Sequence, residues 1–310
     1  MGANKHTPVL LNEVLAALAP GPGGMFVDCT FGRGGHTQAL LQRVAPGGQV
    51  LSMDRDPAAI EHGQQLVEKT EGLSVVHAAF SGLEGVARSH RCFGYANGVL
   101  FDLGVSSPQL DDARRGFSFS SDGPLDMRMD PGCGASAAEW LQTATEREIV
   151  DVLKSLGEER YARRIARSIV ERRSHESIST TAQLADLVTR AAPTREREKH
   201  PATRTFQALR IHVNQELDEL RVGLQQAVDV LAPGGRLAVI SFHSLEDRIV
   251  KRYLRSESRT DDGDVRRPPM ADTRLPRLRI TGKPVRPTKE EIARNPRARS
   301  AILRVAEKRH

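Results

Sequence analysis

The feature that most constrains the fold of this 310-residue chain is a regular alternation of short apolar runs with helical segments. Runs of this kind lie at 25–29, 49–53, 73–77 and 98–103, and Gly- and Pro-containing turns separate them from segments with helical spacing. Short apolar runs alternating with helices are typical of parallel strands joined by crossover helices. The sequence therefore predicts an α/β fold, with a mostly parallel, Rossmann-like sheet.

This alternation stops after the fourth run, and helical periodicity replaces it until about residue 205. An amphipathic helix is then predicted from 206 to about 231, followed by strand-like segments at 235–242, 277–281 and 300–306. A helical insertion into one α/β domain is the simplest organisation that fits. The predicted parts are a first sheet segment at 1–112, an insertion for substrate recognition at 113–205, and a second sheet segment with a basic tail at 206–310.

A glycine-rich turn, Gly32–Gly35, follows the first run and opens a helix. Open α/β sheets bind ligands beyond the carboxyl ends of their strands, and glycine allows backbone to approach a ligand closely. Asp54 ends the second run, 20 residues after Gly34, where a carboxylate accepts hydrogen bonds from a ribose diol. The turn and the acid together predict a nucleotide-containing cofactor, although a tight turn that binds no ligand stays open.

Two cofactor classes use this arrangement. A dinucleotide site requires a small residue at the third position of its glycine motif, where this chain has Thr37. Asp28, at the end of the first run, would repel a pyrophosphate but suits the sulfonium and ammonium groups of S-adenosylmethionine. The residues favour S-adenosylmethionine and leave the dinucleotide as an alternative.

Asp102 ends the fourth run, beside the expected cofactor. A carboxylate there is costly to desolvate without a partner, which a substrate amine or the cofactor ammonium would provide. The alternative is that Asp102 caps a helix or anchors a loop.

The basic residues are concentrated toward the C-terminal end of the sequence. The chain has 45 Lys and Arg against 39 Asp and Glu, a net charge of +6. Residues 251–310 alone carry +10, so the first 250 carry −4. Arg accounts for 37 of the basic residues, and an Arg-rich basic segment suggests nucleic acid, unless it is merely a solvated surface.

Three further expectations come from what the sequence lacks. No apolar stretch approaches the length of a membrane span, and the three scattered cysteines predict neither disulfides nor a zinc site. The histidines show no metal-ligand spacing, so no metal is predicted. A reducing, cytoplasmic compartment is expected, with no membrane partner.

Seven segments, in order along the chain, carry a resemblance to a known family: HTPVLLNEV (6–14), FVDCTFGRGGHT (26–37), LFDLGVSSPQLDDARRGFSF (100–119), GPLDMRMD (123–130), HPATRTFQALRIHVNQEL (200–217), SFHSLEDRIVK (241–251) and NPRARSAILR (295–304). The chain resembles the RsmH (MraW) family of bacterial 16S ribosomal RNA (cytosine-N4)-methyltransferases. The resemblance implies a class I S-adenosylmethionine-dependent methyltransferase fold. It also implies N4-methylation of a cytidine in the decoding centre, the P-site region, of 16S rRNA.

The resemblance also implies which residues hold the cofactor: Gly34, Gly35, His36, Asp54, Phe80, Asp102 and Gln109. Asp102 is the candidate catalytic residue, because its oxygens would accept hydrogen bonds from the substrate amine. His243, after the fifth sheet strand, is a second candidate, with capping of the next helix as its alternative.

The partner implied is 16S rRNA within the 30S subunit or its precursor. Five arginines in the matching segments are candidate RNA contacts: Arg114, Arg115, Arg128, Arg297 and Arg299. Phe117 and Phe119 are candidates either for base stacking or for the core. The oligomeric state is left open between a monomer and a homodimer.

Two other functions deserve weighing. An NAD-dependent oxidoreductase would need a small residue where Thr37 stands. An RNA-binding or ribosome-assembly protein without activity would share the basic tail, but gives no reason for acids at the ends of three strands. Methyl transfer is the favoured function.

Overall fold

The computed structural model describes residues 8–192, 200–259 and 275–310. The described chain forms two compact units, one from the segments up to Gly104 and from Leu217 onward, the other from Val105 to Glu216. Two residues of the 6–14 motif, part of the predicted insertion (193–199) and part of the basic tail (260–274) lie outside the described residues.

The first unit is built on a seven-stranded sheet. Its strands are β1 Met25–Asp28, β2 Gln49–Asp54, β3 Leu73–His77, β4 Ala96–Asp102, β5 Leu231–Ser241, β6 Leu278–Ile280 and β7 Ile302–Lys308. The order across the sheet is β3-β2-β1-β4-β5-β7-β6; β1 to β5 are parallel, and β7 is antiparallel to both of its neighbours. This confirms the predicted α/β class with a mostly parallel sheet.

Thirteen α-helices lie in the described parts of the chain. They are α1 Leu11–Leu18, α2 Gly35–Val44, α3 Pro57–Val67, α4 Leu83–Ser89, α5 Ser107–Asp111, α6 Ala137–Thr143, α7 Glu146–Gly157, α8 Ala162–Arg173, α9 Thr181–Ala191, α10 Thr203–Val213, α11 Glu216–Val230, α12 Ser244–Ser258 and α13 Lys289–Arg294. None of them is long and apolar enough to span a bilayer.

The sheet is buried on both faces. Along β4, Val99 and Phe101 point into one hydrophobic cluster, and Leu100 between them points into another. A strand that is buried on both faces has apolar residues at consecutive positions, and this is why the apolar run at 98–103 predicts β4 clearly. Because parallel strands share one carboxyl edge, Asp28, Asp54 and Asp102 end together at that edge of the sheet.

The second unit is helical and has its own core. The unit runs from Val105 to Glu216, so it begins eight residues before the predicted insertion and ends eleven residues after it. Its C-terminal extension has a packing cause: Phe206, Ala208 and Leu209 of α10 are buried in the same cluster as α7 and α8.

The single helix predicted from 206 to about 231 is wrong. The chain forms α10 and α11, separated at Asn214 and Gln215, and Gln215 takes a left-handed conformation with φ of 50°. Both helices are amphipathic, so their apolar periodicity continues across the break and conceals it.

Asn214 is a buried polar anchor of the second unit, and its removal is expected to be costly. Its Oδ1 accepts from Met129 N at 2.7 Å, and its Nδ2 donates to Met127 O at 2.7 Å and Arg210 O at 2.9 Å. Asn214→Ala leaves these backbone groups without their partner, and we expect the free energy of unfolding to fall by about 2–4 kcal/mol. Urea denaturation followed by circular dichroism measures this.

The matched control is Asn97→Ala. The Asn97 side chain is exposed and accepts one hydrogen bond, from Met25 N at 2.8 Å. Water can replace that partner, so a loss below about 1 kcal/mol is expected. Equal effects of the two substitutions would contradict the anchoring role.

Candidate active site

The loop between β1 and α2 is fastened to both neighbouring strand ends. Gly32 N donates to Asp54 Oδ2 at 2.8 Å, and Asp102 N donates to Thr30 Oγ1 at 2.8 Å. Gly32 and Gly34 have φ of 53° and 72°, left-handed values that favour glycine. The sequence-predicted loop therefore meets the two predicted acids, Asp54 and Asp102, in one place.

Asp54 is held by two backbone donors. Besides Gly32, Asp56 N donates to its Oδ1 at 2.9 Å. Burial raises the pKa of Asp54 to about 6, although these two backbone hydrogen bonds act against the increase. Each carboxylate oxygen keeps a second lone pair, so an ionised Asp54 can still accept hydrogen bonds from hydroxyl groups of a ligand.

Asp102 faces a buried histidine. His36 lies in the first turn of α2, and its Nε2 is 3.5 Å from Asp102 Oδ2, which is long for a hydrogen bond. Burial lowers the pKa of His36, but Asp102 and Asp28 outweigh it, so the pKa is raised. The other carboxylate oxygen, Asp102 Oδ1, is buried and has no hydrogen-bond partner among the described residues. A buried acceptor of this kind is ready for an incoming donor.

Asp28, which is only 1% exposed, accepts hydrogen bonds from residues of the loop and of α2. Its Oδ1 accepts from Thr30 N at 3.0 Å and Thr30 Oγ1 at 3.2 Å, and its Oδ2 accepts from Thr37 Oγ1 at 2.7 Å. Thr37 also shares a hydrogen bond of 2.8 Å with Ser52. Burial raises the pKa of Asp28, and the charge of His36 partly opposes this.

These contacts give Thr37 and Thr30 structural roles that sequence reasoning did not assign to them. Thr37, at the third position of the glycine motif, turns its hydroxyl inward to Asp28. Thr30 links Asp28 to the backbone of Asp102, because its hydroxyl donates to the first and accepts from the second. No periodicity marks Thr30, since the residues it joins are 74 positions apart in the chain.

Substitution of Thr30 tests this link. Thr30→Val keeps the shape but removes both hydroxyl contacts, so Asp102 loses its backbone support. If Asp102 acts in the methyl transfer that the family resemblance implies, we expect kcat to fall by about ten- to a hundredfold, the effect of a small misplacement of a catalytic group. Thr30→Ser, which keeps the hydroxyl, is expected to stay within about threefold of wild type; equal losses in both variants would contradict the positioning role.

Phe80 lies three residues after the end of β3 and begins a short 3₁₀ turn. It is half-buried and packs edge-on against Phe101, with ring centroids 5.1 Å apart. Gly223 of α11 lies beneath it, and a Cβ there would come within 2.7 Å of Phe80 Cβ. Phe80 thus packs closely against Phe101 and Gly223. Its contact with the cofactor stays a prediction.

Gln109 and His243 both cap helices. Gln109 belongs to the second unit, where its Oε1 accepts from Ser106 N at 2.9 Å in a capping box at α5. His243 is the N-cap of α12, and its Nδ1 accepts from Glu246 N at 3.4 Å. The pattern Ser-x-x-Gln at 106–109 is a capping signal that the sequence already contains. Cofactor contact by Gln109 and catalysis by His243 stay predictions.

The candidate RNA-contacting arginines differ in their surroundings. Arg114 pairs with Asp112 at 2.8 Å, and Arg128 pairs with Asp126 at 2.7 Å. Arg115 donates to the backbone oxygens of Arg128 and Met129, so it supports a loop of the second unit. Arg297 and Arg299 are exposed in the 3₁₀ turn before β7. Their contact with RNA stays a prediction.

The two candidate stacking aromatics pack within the second unit. Phe117 is buried in its hydrophobic cluster. Phe119 stacks on His200 with ring centroids 4.5 Å apart and meets Phe206 edge-on at 5.0 Å. These contacts fit a role of Phe117 and Phe119 in the core of the second unit better than a role in stacking on bases.

Comparison with known proteins decides the family. The family model of the MraW methylase family matches residues 3–309. The chain belongs to this family. A ribosomal RNA small subunit methyltransferase H from Nitrosococcus oceani is 54% identical over 306 residues, covering 98% of this chain and 97% of that protein. The same-named protein from Chromohalobacter salexigens is also 54% identical, over 98% of this chain and 92% of that protein.

Among solved structures, an rRNA methylase from Streptococcus thermophilus aligns with a TM-score of 0.44 and 11% identity, covering 99% of this chain and all of that one. Family membership makes the chain a methyltransferase of the Rossmann-like class I fold and S-adenosylmethionine its cofactor. The oxidoreductase and the inactive RNA-binding protein are thereby excluded.

The residues present fit this cofactor. The two carboxylates, Asp54 and Asp102, suit a ligand that carries ribose hydroxyls and an ammonium group. Asp102 Oδ1 is buried without a hydrogen-bond partner among the described residues, which supports binding of a ligand that donates a hydrogen bond to it. The resemblance implies that Gly34, Gly35, His36, Asp54, Phe80, Asp102 and Gln109 hold it, and this set stays a prediction.

Proposed function

We propose that this methyltransferase methylates the exocyclic N4 of a cytidine in the decoding centre of 16S rRNA. Two relatives of 54% identity, aligned over nearly their whole length, are named ribosomal RNA small subunit methyltransferases, which supports the rRNA substrate. The sequence motifs resemble those of cytosine-N4 enzymes, which supports the target atom.

The main structural support for this proposal is Asp102 Oδ1, which has no hydrogen-bond partner among the described residues. Cytosine N4 is a weak nucleophile because its lone pair is conjugated with the ring. Asp102 Oδ1 is buried, has no partner among the described residues and lies at the carboxyl end of β4. By accepting a hydrogen bond from the amine, it would stabilise the positive charge that develops on nitrogen as the methyl group arrives.

Other residues of the loop would keep Asp102 in place. Thr30 holds its backbone N–H, and His36 faces its second carboxylate oxygen. The cofactor supplies an activated methyl group, so the protein has mainly to align the amine and exclude water. Alignment of this kind contributes about 7–11 kcal/mol when the geometry is near attack.

A base inside folded RNA must be unstacked before its amine can enter such a pocket. We propose that the helical second unit recognises the RNA around the target, with 16S rRNA in the 30S subunit or its precursor as the partner. The reaction is then expected in the cytoplasm, where 30S subunits assemble. This assignment rests on the same relatives as the substrate.

The test uses purified protein, isotope-labelled S-adenosylmethionine and 30S subunits from cells that lack the activity. Nucleoside mass spectrometry after digestion is expected to find the label on N4 of cytidine. Subunits from cells with the activity are the control and should accept little label. Label on C5, on a ribose or nowhere would overturn the proposal.

A further inference from the structure

A basic cleft lies at the outer edge of the sheet in the first unit. It is a small cleft, open to solvent, between α12 and the end of the sheet. Its lining, which we call the edge cleft, consists of Lys251, Leu254, Arg255, Ile280, Thr281, Gly282, Lys283, Pro284, Arg304 and Val305.

The charge of the edge cleft is positive, and most of it has no ion-pair partner among the residues that the structure describes. Four of its lining residues are basic and none is acidic. Arg304 is bound by Asp247 through two hydrogen bonds of 2.7 and 3.0 Å. Lys251, Arg255 and Lys283 are exposed and form no ion pair with any residue that the structure describes. Three cations from two separate segments, none of them ion-paired within the described parts of the chain, therefore line one cleft.

The row of paired residues that starts at Asp102 ends beside the edge cleft, next to its lining residues Pro284 and Arg304. Asp102 of β4 is in register with Ile240 of β5, Ile240 with Leu303 of β7, and Leu303 forms a bridge with Val285. Three strand spacings separate the ends of this row, or about 14 Å. Lys283 stands two residues before Val285. If the target base lies at Asp102, as proposed, only a short span of RNA separates it from the cleft.

We infer that the edge cleft binds backbone phosphates of the RNA strand that flanks the target cytidine. This inference rests on the proposed function and adds a second contact region to it. Lys and Arg head groups suit phosphate, and this cleft has no aromatic residue on which a base could stack. The contact would position the RNA without reading its sequence.

The expected effect is on RNA binding and its salt dependence. We would compare wild type with the double variant Lys251→Gln/Lys283→Gln, using labelled 16S rRNA transcript and fluorescence anisotropy from 50 to 300 mM salt. Loss of two phosphate contacts should lower the slope of log K against log salt by about 1.4, and weaken binding about tenfold at low salt. Cofactor affinity and kcat at saturating RNA should stay unchanged.

The matched control is Arg43→Gln/Lys69→Gln. It removes the same charge from two exposed positions, near the C-terminal ends of α2 and α3, and should leave the slope within about 0.3 of wild type. An unchanged slope in the cleft variant, or an equal drop in both variants, would overturn the inference.

Two further comparisons distinguish RNA binding from binding of free phosphate, and failure of the edge-cleft proposal from failure of the proposed reaction. Titration with inorganic phosphate distinguishes a free-phosphate site: competition at micromolar phosphate together with an unchanged RNA slope would overturn the RNA assignment. Because binding is measured apart from methylation, failure of the proposed reaction appears as no label on cytidine N4. Failure of the edge cleft appears as an unaltered salt slope.

Discussion

Asp102→Ala is expected to lower methyl transfer at saturating substrates by about 10²–10³-fold while the Kd for S-adenosylmethionine changes less than about tenfold. The reason is that Asp102 Oδ1 is the buried acceptor without a partner, and its strongest interaction is expected with charge that develops during the reaction. Single-turnover kinetics with methyl-labelled cofactor measures the first quantity, and calorimetry measures the second.

Asp102→Asn is the matched variant for this experiment. It keeps the size of the side chain and one acceptor oxygen but removes the charge, so an activity between those of alanine and wild type is expected. Thermal unfolding of both variants checks that the loop still folds, since the backbone N–H of Asp102 that Thr30 binds remains in each. Turnover retained in Asp102→Ala would refute the role of this carboxylate.

Cofactor binding is expected to weaken in acid because of Asp54, whose pKa burial raises to about 6. In the proposed site the ionised carboxylate accepts hydrogen bonds from ribose hydroxyls, so we expect binding to require loss of this proton. Above pH 7 the Kd for S-adenosylmethionine should be nearly constant, and well below pH 6 it should rise by about tenfold per pH unit. Calorimetry between pH 5 and 8 measures the dependence.

Asp54→Asn is the control for this pH dependence. The amide does not titrate, so affinity should be low and nearly flat with pH, and any slope that remains belongs to other groups such as His36. The raised pKa of Asp54 affects the stability of the fold in the opposite sense to cofactor affinity: acid weakens cofactor binding but favours the folded protein. A folded-state pKa raised above the usual 3.8 favours the folded protein below about pH 4, and that contribution is lost as pH rises through 6. A wild-type Kd that does not change between pH 7 and 5 would contradict the assignment.

Much of the site was predictable because it depends on strand ends. All seven strands lie within a few residues of the predicted positions, and Asp54 and Asp102 end β2 and β4 as expected. Parallel strands bring their carboxyl ends to one edge, so placing the strands also places these acids. Motif resemblance supplied His36 and Phe80, for which spacing alone gives no signal.

Other features depend on contacts between distant segments. The roles of Thr30 and Thr37 come from hydrogen bonds to Asp28 and Asp102, and a hydroxyl residue in a loop has many alternative uses. The break at Asn214 depends on backbone groups of Met127 and Met129, 87 and 85 residues away. Periodicity reports only which face of an element is apolar, and it carries no record of such partners.

The sequence by itself determined the α/β class, the strand order along the chain, the glycine turn and the acids at the strand ends, because local apolar patterns and turn residues govern these. Only the tertiary structure decided that the helical unit runs from Val105 to Glu216 and that Thr30 joins Asp28 to the backbone of Asp102. It also decided which basic residues beside the sheet edge have no ion-pair partner among the described residues. Those outcomes depend on burial and on long-range hydrogen bonds and ion pairs. Such interactions exist only after segments far apart in the chain have packed together.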